Sequence, residues 1–207
     1  MRLLFALVLS LLCLGLLGAA RAAEDLPSPP QPDERQTTGP DFTTLSRTQQ
    51  ISALLATLKT TTDVAVAAKA ENRLSVLWLQ SDSATVDLMM HWVAAAMTAK
   101  NYPLALDYLD RILTLKPDYA EGWNVRATVY FLNDDYSRAV FDLDQVLKLE
   151  PRHFDALAGL GAVLREMGKE KEALAVFEQA LALDPHLDSV ATAAAELRKK
   201  GFGGRAL

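Results

Sequence analysis

Cysteine is almost missing from these 207 residues: the only one is Cys13, inside an N-terminal apolar run. The rest of the chain has no thiol, which excludes disulfides and thiolate metal sites within one copy. A thiol-free domain suits an oxidising compartment. Histidine is scarce as well, at 3 residues. His91 stands alone, while His153 and His186 follow prolines in segments that read as loops. The three are expected at the surface and supply too few convergent ligands for a metal. No long basic run occurs and the formal charge is -5, which argues against a nucleic-acid partner.

Catalytic motifs are missing too. There is no G-x-S-x-G elbow and no H-E-x-x-H. Gly159-Leu160-Gly161 lacks the further glycine and the preceding strand of a phosphate loop. Asp134 and Asp135 adjoin in an exposed break, where a carboxylate keeps ordinary acidity and is a poor general acid. Neither an enzyme nor a cofactor is expected.

The first residues read as an address. Met1-Arg2 is a short positive start, Leu3 to Leu17 is apolar, and Ala20 and Ala22 form an A-x-A pair. This is the layout of a secretory signal peptide over residues 1–22, cleaved after Ala22, and it implies a periplasmic or secreted protein. An uncleaved anchor that presents the chain within a cell-envelope assembly is the alternative. Loss of Arg2 and Arg21 would take the 21 basic residues to 19 against 26 acidic ones, a charge of -7. Residues 23–44 carry five of the 9 prolines and no apolar period. Such a segment buries too little to offset its ordering entropy and reads as a disordered spacer.

Beyond the spacer lies a repeat. Pro117, Pro151 and Pro185 stand 34 apart, and stepping by the same interval aligns whole columns. Ala105, Ala139 and Ala173 form one. Leu109, Leu143 and Phe177 form another, and Leu113, Leu147 and Leu181 a third. In the first half of each unit Met89, Trp123 and Leu157 match, as do Val93, Ala127 and Gly161. Apolar residues recur at three and four, the helical period. Each unit therefore reads as two helices, broken at Asn133-Asp134-Asp135 in one and at Gly168 in another, and ended by its proline. The small columns should let paired helices approach closely. One pair cannot bury both faces, so units must stack.

Residues 86–119, 120–153 and 154–187 resemble three tetratricopeptide (TPR) repeats. Unit 2 carries the pattern in Trp123, Ala127, Tyr130, Tyr136, Ala139, Leu143 and Pro151. Unit 3 carries it in Leu157, Leu160, Gly161, Gly168, Ala173, Phe177 and Pro185. Unit 1 departs at Met89 and Val93. Signal, spacer and few repeats together resemble small exported TPR proteins of Gram-negative bacteria. The resemblance implies an all-α fold: a right-handed TPR superhelix, an antiparallel helix-pair solenoid. Residues 45–82 read as an N-terminal helical hairpin or a degenerate repeat, with Thr62 as an N-cap. Residues 188–200 read as a C-terminal capping helix and 201–207 as a flexible tail. Trp78, Trp92 and Trp123 lie on helical faces and are expected in the core or between units.

The resemblance also implies a scaffold or adaptor that takes a protein or peptide on its concave face, with no membrane contact once the signal is removed. Matched to the repeat, the groove side chains are Asp87, Met90, Ala94 and Met97; Glu121, Asn124, Thr128 and Phe131; and Asp155, Ala158, Ala162 and Arg165. Of these, Asp87, Met90, Met97, Glu121, Asn124, Thr128, Phe131 and Arg165 are the candidate partner contacts. Asp87, Glu121 and Asp155 form an acidic ladder where helix dipoles favour acid. Some family members clamp a C-terminal carboxylate with several basic residues. Here Arg165 is nearly alone among alanines, so that specificity is not implied. Oligomeric state is left open.

Overall fold

The computed structural model describes residues 45–201. The signal at 1–22, the spacer at 23–44 and nearly all of the tail at 201–207 lie outside the described residues. The chain divides into two units, Met1–Gln50 and Ile51–Leu207. Of the first, only residues 45–50 are described, and there the Gln50 amide donates to the Leu45 carbonyl. All regular structure among the described residues is helical: α1 (Arg47–Thr60), α2 (Val64–Leu79), α3 (Ala84–Thr98), α4 (Tyr102–Leu115), α5 (Ala120–Leu132), α6 (Tyr136–Leu149), α7 (Phe154–Glu166), α8 (Glu170–Leu183) and α9 (Asp188–Lys199). Among them no helix is long and apolar enough to cross a membrane.

The period of 34 is visible in the backbone. Lys100, Asp134 and Gly168 each adopt a positive φ, of 55°, 59° and 74°. Each sits just past the first helix of its pair. The following residue's N–H reaches five residues back, Asn101 to Ala96, Asp135 to Tyr130 and Lys169 to Leu164, at 2.8–2.9 Å. These are three copies of the Schellman turn, in which a left-handed residue satisfies the last carbonyls of a helix. Lysine and aspartate tolerate that conformation in two of the three. Between units, the residues before the prolines, Lys116, Glu150 and Asp184, are extended at φ -142°, -137° and -133°. Proline imposes this on its predecessor and ends the helix there. Side chains start other helices: Asp63, rather than Thr62, caps α2 by accepting from Ala65 and Val66 N–H. Thr62 fails as a cap because the helix begins one residue later.

The helices pack as α3/α4, α5/α6 and α7/α8, with α9 closing the C-terminal end. One apolar cluster joins Ala127, Tyr130, Ala139, Leu143 and Val146 to Ala156 and Val163 of the next unit. Another joins Leu157, Ala173 and Phe177 to Val190, Ala194 and Leu197 of α9. The chain thus folds as a right-handed TPR superhelix. In unit 3 the small column meets the large one: a Cβ on Gly161 would come within 2.4 Å of the Phe177 ring. An ion bridge also crosses units. Arg126 donates to both Asp142 oxygens at 2.8 Å and to Asp110 of the preceding unit at 2.7 Å, with its guanidinium over Trp123. Burial pushes the Asp142 pKa up although Arg126 opposes it.

At the N-terminal end the stack is open. Gly122 and Ala156 are buried, as are Val129 and Val163. Their unit-1 counterparts Leu88 and Ala95 are exposed, and among the described residues no fourth pair lies over them. Trp92 is exposed on the same face, against the expectation of core or inter-unit packing. It leans on Tyr108, ring centroids 5.5 Å apart. The Ile51–Thr60 part of α1 and α2 also lack the lengthwise packing that joins the helices of each repeat. They do not occupy a fourth unit's place.

Two core substitutions test this packing. Ala139, fully buried, replaced by Leu should overpack the α5/α6 pair and lose roughly 1–3 kcal/mol in urea unfolding. Gly161→Ala gains about 1 kcal/mol of helix propensity but drives a methyl into Phe177 at a cost of about 1–3 kcal/mol. It should destabilise the wild type and stabilise a Phe177→Leu background. A change of the same size in both backgrounds would refute the Gly161–Phe177 contact.

Candidate partner-binding face

The first helices α3, α5 and α7 each begin with an acid, Asp87, Glu121 and Asp155. Their N-terminal ends carry unpaired N–H groups that favour negative charge. Each acid has further work. Asp87 accepts from the Ser81 hydroxyl at 2.6 Å and from its N–H. Glu121 faces His153 Nε2 at 3.1 Å and accepts from the Asn124 amide. Thr128 donates back to the Asn124 carbonyl at 3.0 Å. Phe131 is half-buried beside Tyr136. Met90 and Met97 are buried. Arg165 is largely enclosed, its Nε has no hydrogen-bond partner, and its nearest acid is Glu166 at 3.9 Å. The predicted contacts therefore share the first helices, but none of the eight is fully exposed.

Next to these helices lies α2. Its last carbonyl, Leu79, accepts from the Tyr119 hydroxyl at 2.7 Å, just ahead of α5. Trp78, 4% exposed, stacks on His153 with centroids 4.0 Å apart and planes 16° from parallel. It meets Phe154 edge-on at 5.2 Å. Two turns earlier, Glu71 lies within hydrogen-bonding reach of Asp184, near His186 and Asp155. From α1, the Ser52 hydroxyl accepts from Arg152 at 2.9 Å.

His153 corrects an expectation. It is 1% exposed rather than at the surface. Its Nδ1 accepts the Ala156 N–H as the cap of α7, so the proton sits on Nε2 and is donated to Glu121. The proline before the loop hid this, because the loop is covered by α2. His186 is partly buried beside Asp184, and His91 is exposed. Among the described residues no group of three or more His, Cys, Asp or Glu is placed to hold a metal.

The acids here are strained electrostatically. Burial pushes Asp155 up to about 6, with Glu121 and Asp184 adding to the rise and His153 opposing it. Burial also raises Glu71, with Asp184 adding to it. Asp184 is raised by burial, against the His186 N–H it accepts. Its Oδ2 is enclosed without a donor.

Comparison with known proteins agrees with this architecture. Family models described as "Tetratricopeptide repeat" match residues 93–158 and 130–197. A TPR repeat-containing protein of Rhizobium etli is 40% identical over 137 residues, 66% of this chain and 67% of that protein. Among solved structures, the Sgt2 TPR domain from Aspergillus fumigatus is 21% identical with a TM-score of 0.54, over 57% of this chain and 80% of that one. The first TPR of Spaghetti, bound to an HSP90 peptide, is 18% identical with a TM-score of 0.55, over 57% and 94%.

The Asp155 shift has a sign that can be measured. Its proton is held more tightly in the folded chain, at about 6, than at the ordinary 3.8. That contribution to stability is full below the unfolded value, falls as the pH rises, and is gone above about 6. Asp155→Asn should flatten the fall of the urea midpoint between about pH 4 and 6 and raise the midpoint at neutral pH. An unchanged pH slope would show that Asp155 is not held in this way.

Proposed function

Because the chain belongs to the tetratricopeptide-repeat family, we propose that it is an exported, non-catalytic interaction module that takes a protein partner on the face lined by α3, α5 and α7. One observation carries the reading. Asn124, Thr128, Phe131 and Arg165 stand half-buried on that one face, combining amide, hydroxyl, aromatic and guanidinium chemistry. Such a lining binds peptide backbone, apolar side chains and carboxylates rather than a reacting small molecule. The Spaghetti TPR, solved with an HSP90 peptide, supports a peptide-like ligand. Export rests on the apolar run and A-x-A pair within residues 1–22.

The test is a pull-down from envelope extract with residues 23–207. A dominant partner should be captured, and Asn124→Ala or Phe131→Ala should weaken it by about tenfold or more, as truncated anchor residues do, with helical circular dichroism unchanged. Retained capture by both variants moves the interface to another face. Native N-terminal sequencing should begin at Ala23. A chain that keeps Met1 and fractionates with membranes makes it an anchored envelope component.

A further inference from the structure

We propose that the unit junctions covered by α2, at Tyr119, His153 and Asp184 beside the face just described, accept an amphipathic helix presenting an aromatic residue and, seven positions before it, a lysine or arginine, and that α2 is the resident occupant such a partner displaces. The proposal rests on the interaction-module reading and adds the chemistry of the partner.

α2 is docked in the manner of a helical ligand. Ala67, Ala70, Leu74, Leu77 and Trp78 are buried, while Val66, Lys69, Asn72 and Val76 are exposed. That spacing is the one-faced stripe by which helices lie in grooves. The helix crosses three unit junctions in turn. Leu79 meets Tyr119, Trp78 meets His153 and Phe154, and Glu71 meets Asp184 and His186.

The fit differs at its two ends. The Trp78 end is shape-matched, with one ring stacked and one edge-on, and only the indole Nε1 is left without an acceptor. The Glu71 end sets carboxyl against carboxyl. Glu71 lies within hydrogen-bonding reach of Asp184, a fully buried residue just past α8 whose Oδ2 is enclosed without a donor, and Asp155 of α7 is near both. His186 and His153 are the nitrogen bases among them. Burial raises both Glu71 and Asp184, and Asp184 raises Glu71 further while His186 opposes, so this is the less favourable end of the dock. An ammonium or guanidinium at the same point would donate to the unpartnered Asp184 Oδ2, with the Asp155 charge adding to the attraction. The groove therefore suits an aromatic anchor followed back by a base better than it suits its own helix.

Fluorescein-labelled peptides of residues 63–80, with the native sequence and with Glu71→Lys, are titrated at neutral pH onto residues 23–207 of the wild type and of Trp78→Ala. The lysine peptide should bind Trp78→Ala about tenfold tighter than the native peptide, and more tightly than it binds the wild type. If Trp78→Ala keeps its helical circular dichroism and binds neither peptide, α2 is a fixed part of the core and the proposal falls. Equal binding of the two peptides overturns the basic residue. A second variant needs no opened groove: Glu71→Lys in the whole chain should raise Tm by about 2–4 °C and reduce peptide binding. A Tm at or below the wild type overturns the proposal. Peptide binding with failed partner capture would sink the functional reading alone.

Discussion

No helix pair in this chain can bury both of its faces alone, and the described fold is organised by that constraint. The pair α5/α6 completes its core with Ala156 and Val163 of the next unit. The pair α7/α8 completes its own with α9, whose outer face, with Asp188, Glu196 and Lys199, is polar. Such stacking demands close approach, so a glycine lies under the Phe177 ring. It also demands identical turns, so Lys100, Asp134 and Gly168 share one left-handed conformation. Where the constraint is not met, at Leu88, Trp92 and Ala95, apolar surface faces outward.

The first helices of the stack carry the proposed interaction chemistry, and α2 lies across the junctions beside it. The docked helix meets the buried His153 imidazole through Trp78 and the buried Asp184 carboxyl through Glu71. Trp78 on His153 is a favourable aromatic contact. The neighbouring acids are the opposing term, since burial raises Asp155, Asp184 and Glu71 alike. The same residues thus hold α2 in place and limit how firmly it is held. That balance links a packing feature to recognition: a helix held at one end and opposed at the other can be exchanged.

The helix pairs and their breaks were legible in the sequence because each depends on residues close along the chain. A proline ends a helix by steric action on its neighbour, and a left-handed turn recurs wherever 34 residues return the same packing. The acidic first turns were legible for the same local reason. The fate of the tryptophans was not. Trp78 and Trp92 have equally helical surroundings, yet one is enclosed and the other exposed, and the difference lies with partners 75 residues away or absent. His153 shows the same limit, since its loop position is local and its burial comes from α2. Arg126 bridges acids 16 residues to either side, a symmetry present in the sequence that only inter-unit packing turns into an ion pair. Among the candidate contacts, membership of the first helices followed from the period. Their degree of cover depends on neighbours brought in by the fold and could not be read from a column.

If α2 is a separable helix on a cooperative repeat stack, native-state hydrogen exchange distinguishes it from the repeats. Subglobal opening gives a docked element faster exchange than the units it covers. Amides of Val64–Leu79 should exchange measurably faster than those of α5 to α8, while α5 to α8 exchange together. Exchange of α2 at the same rate as those helices, under the same conditions, would contradict it and make α2 part of one indivisible core.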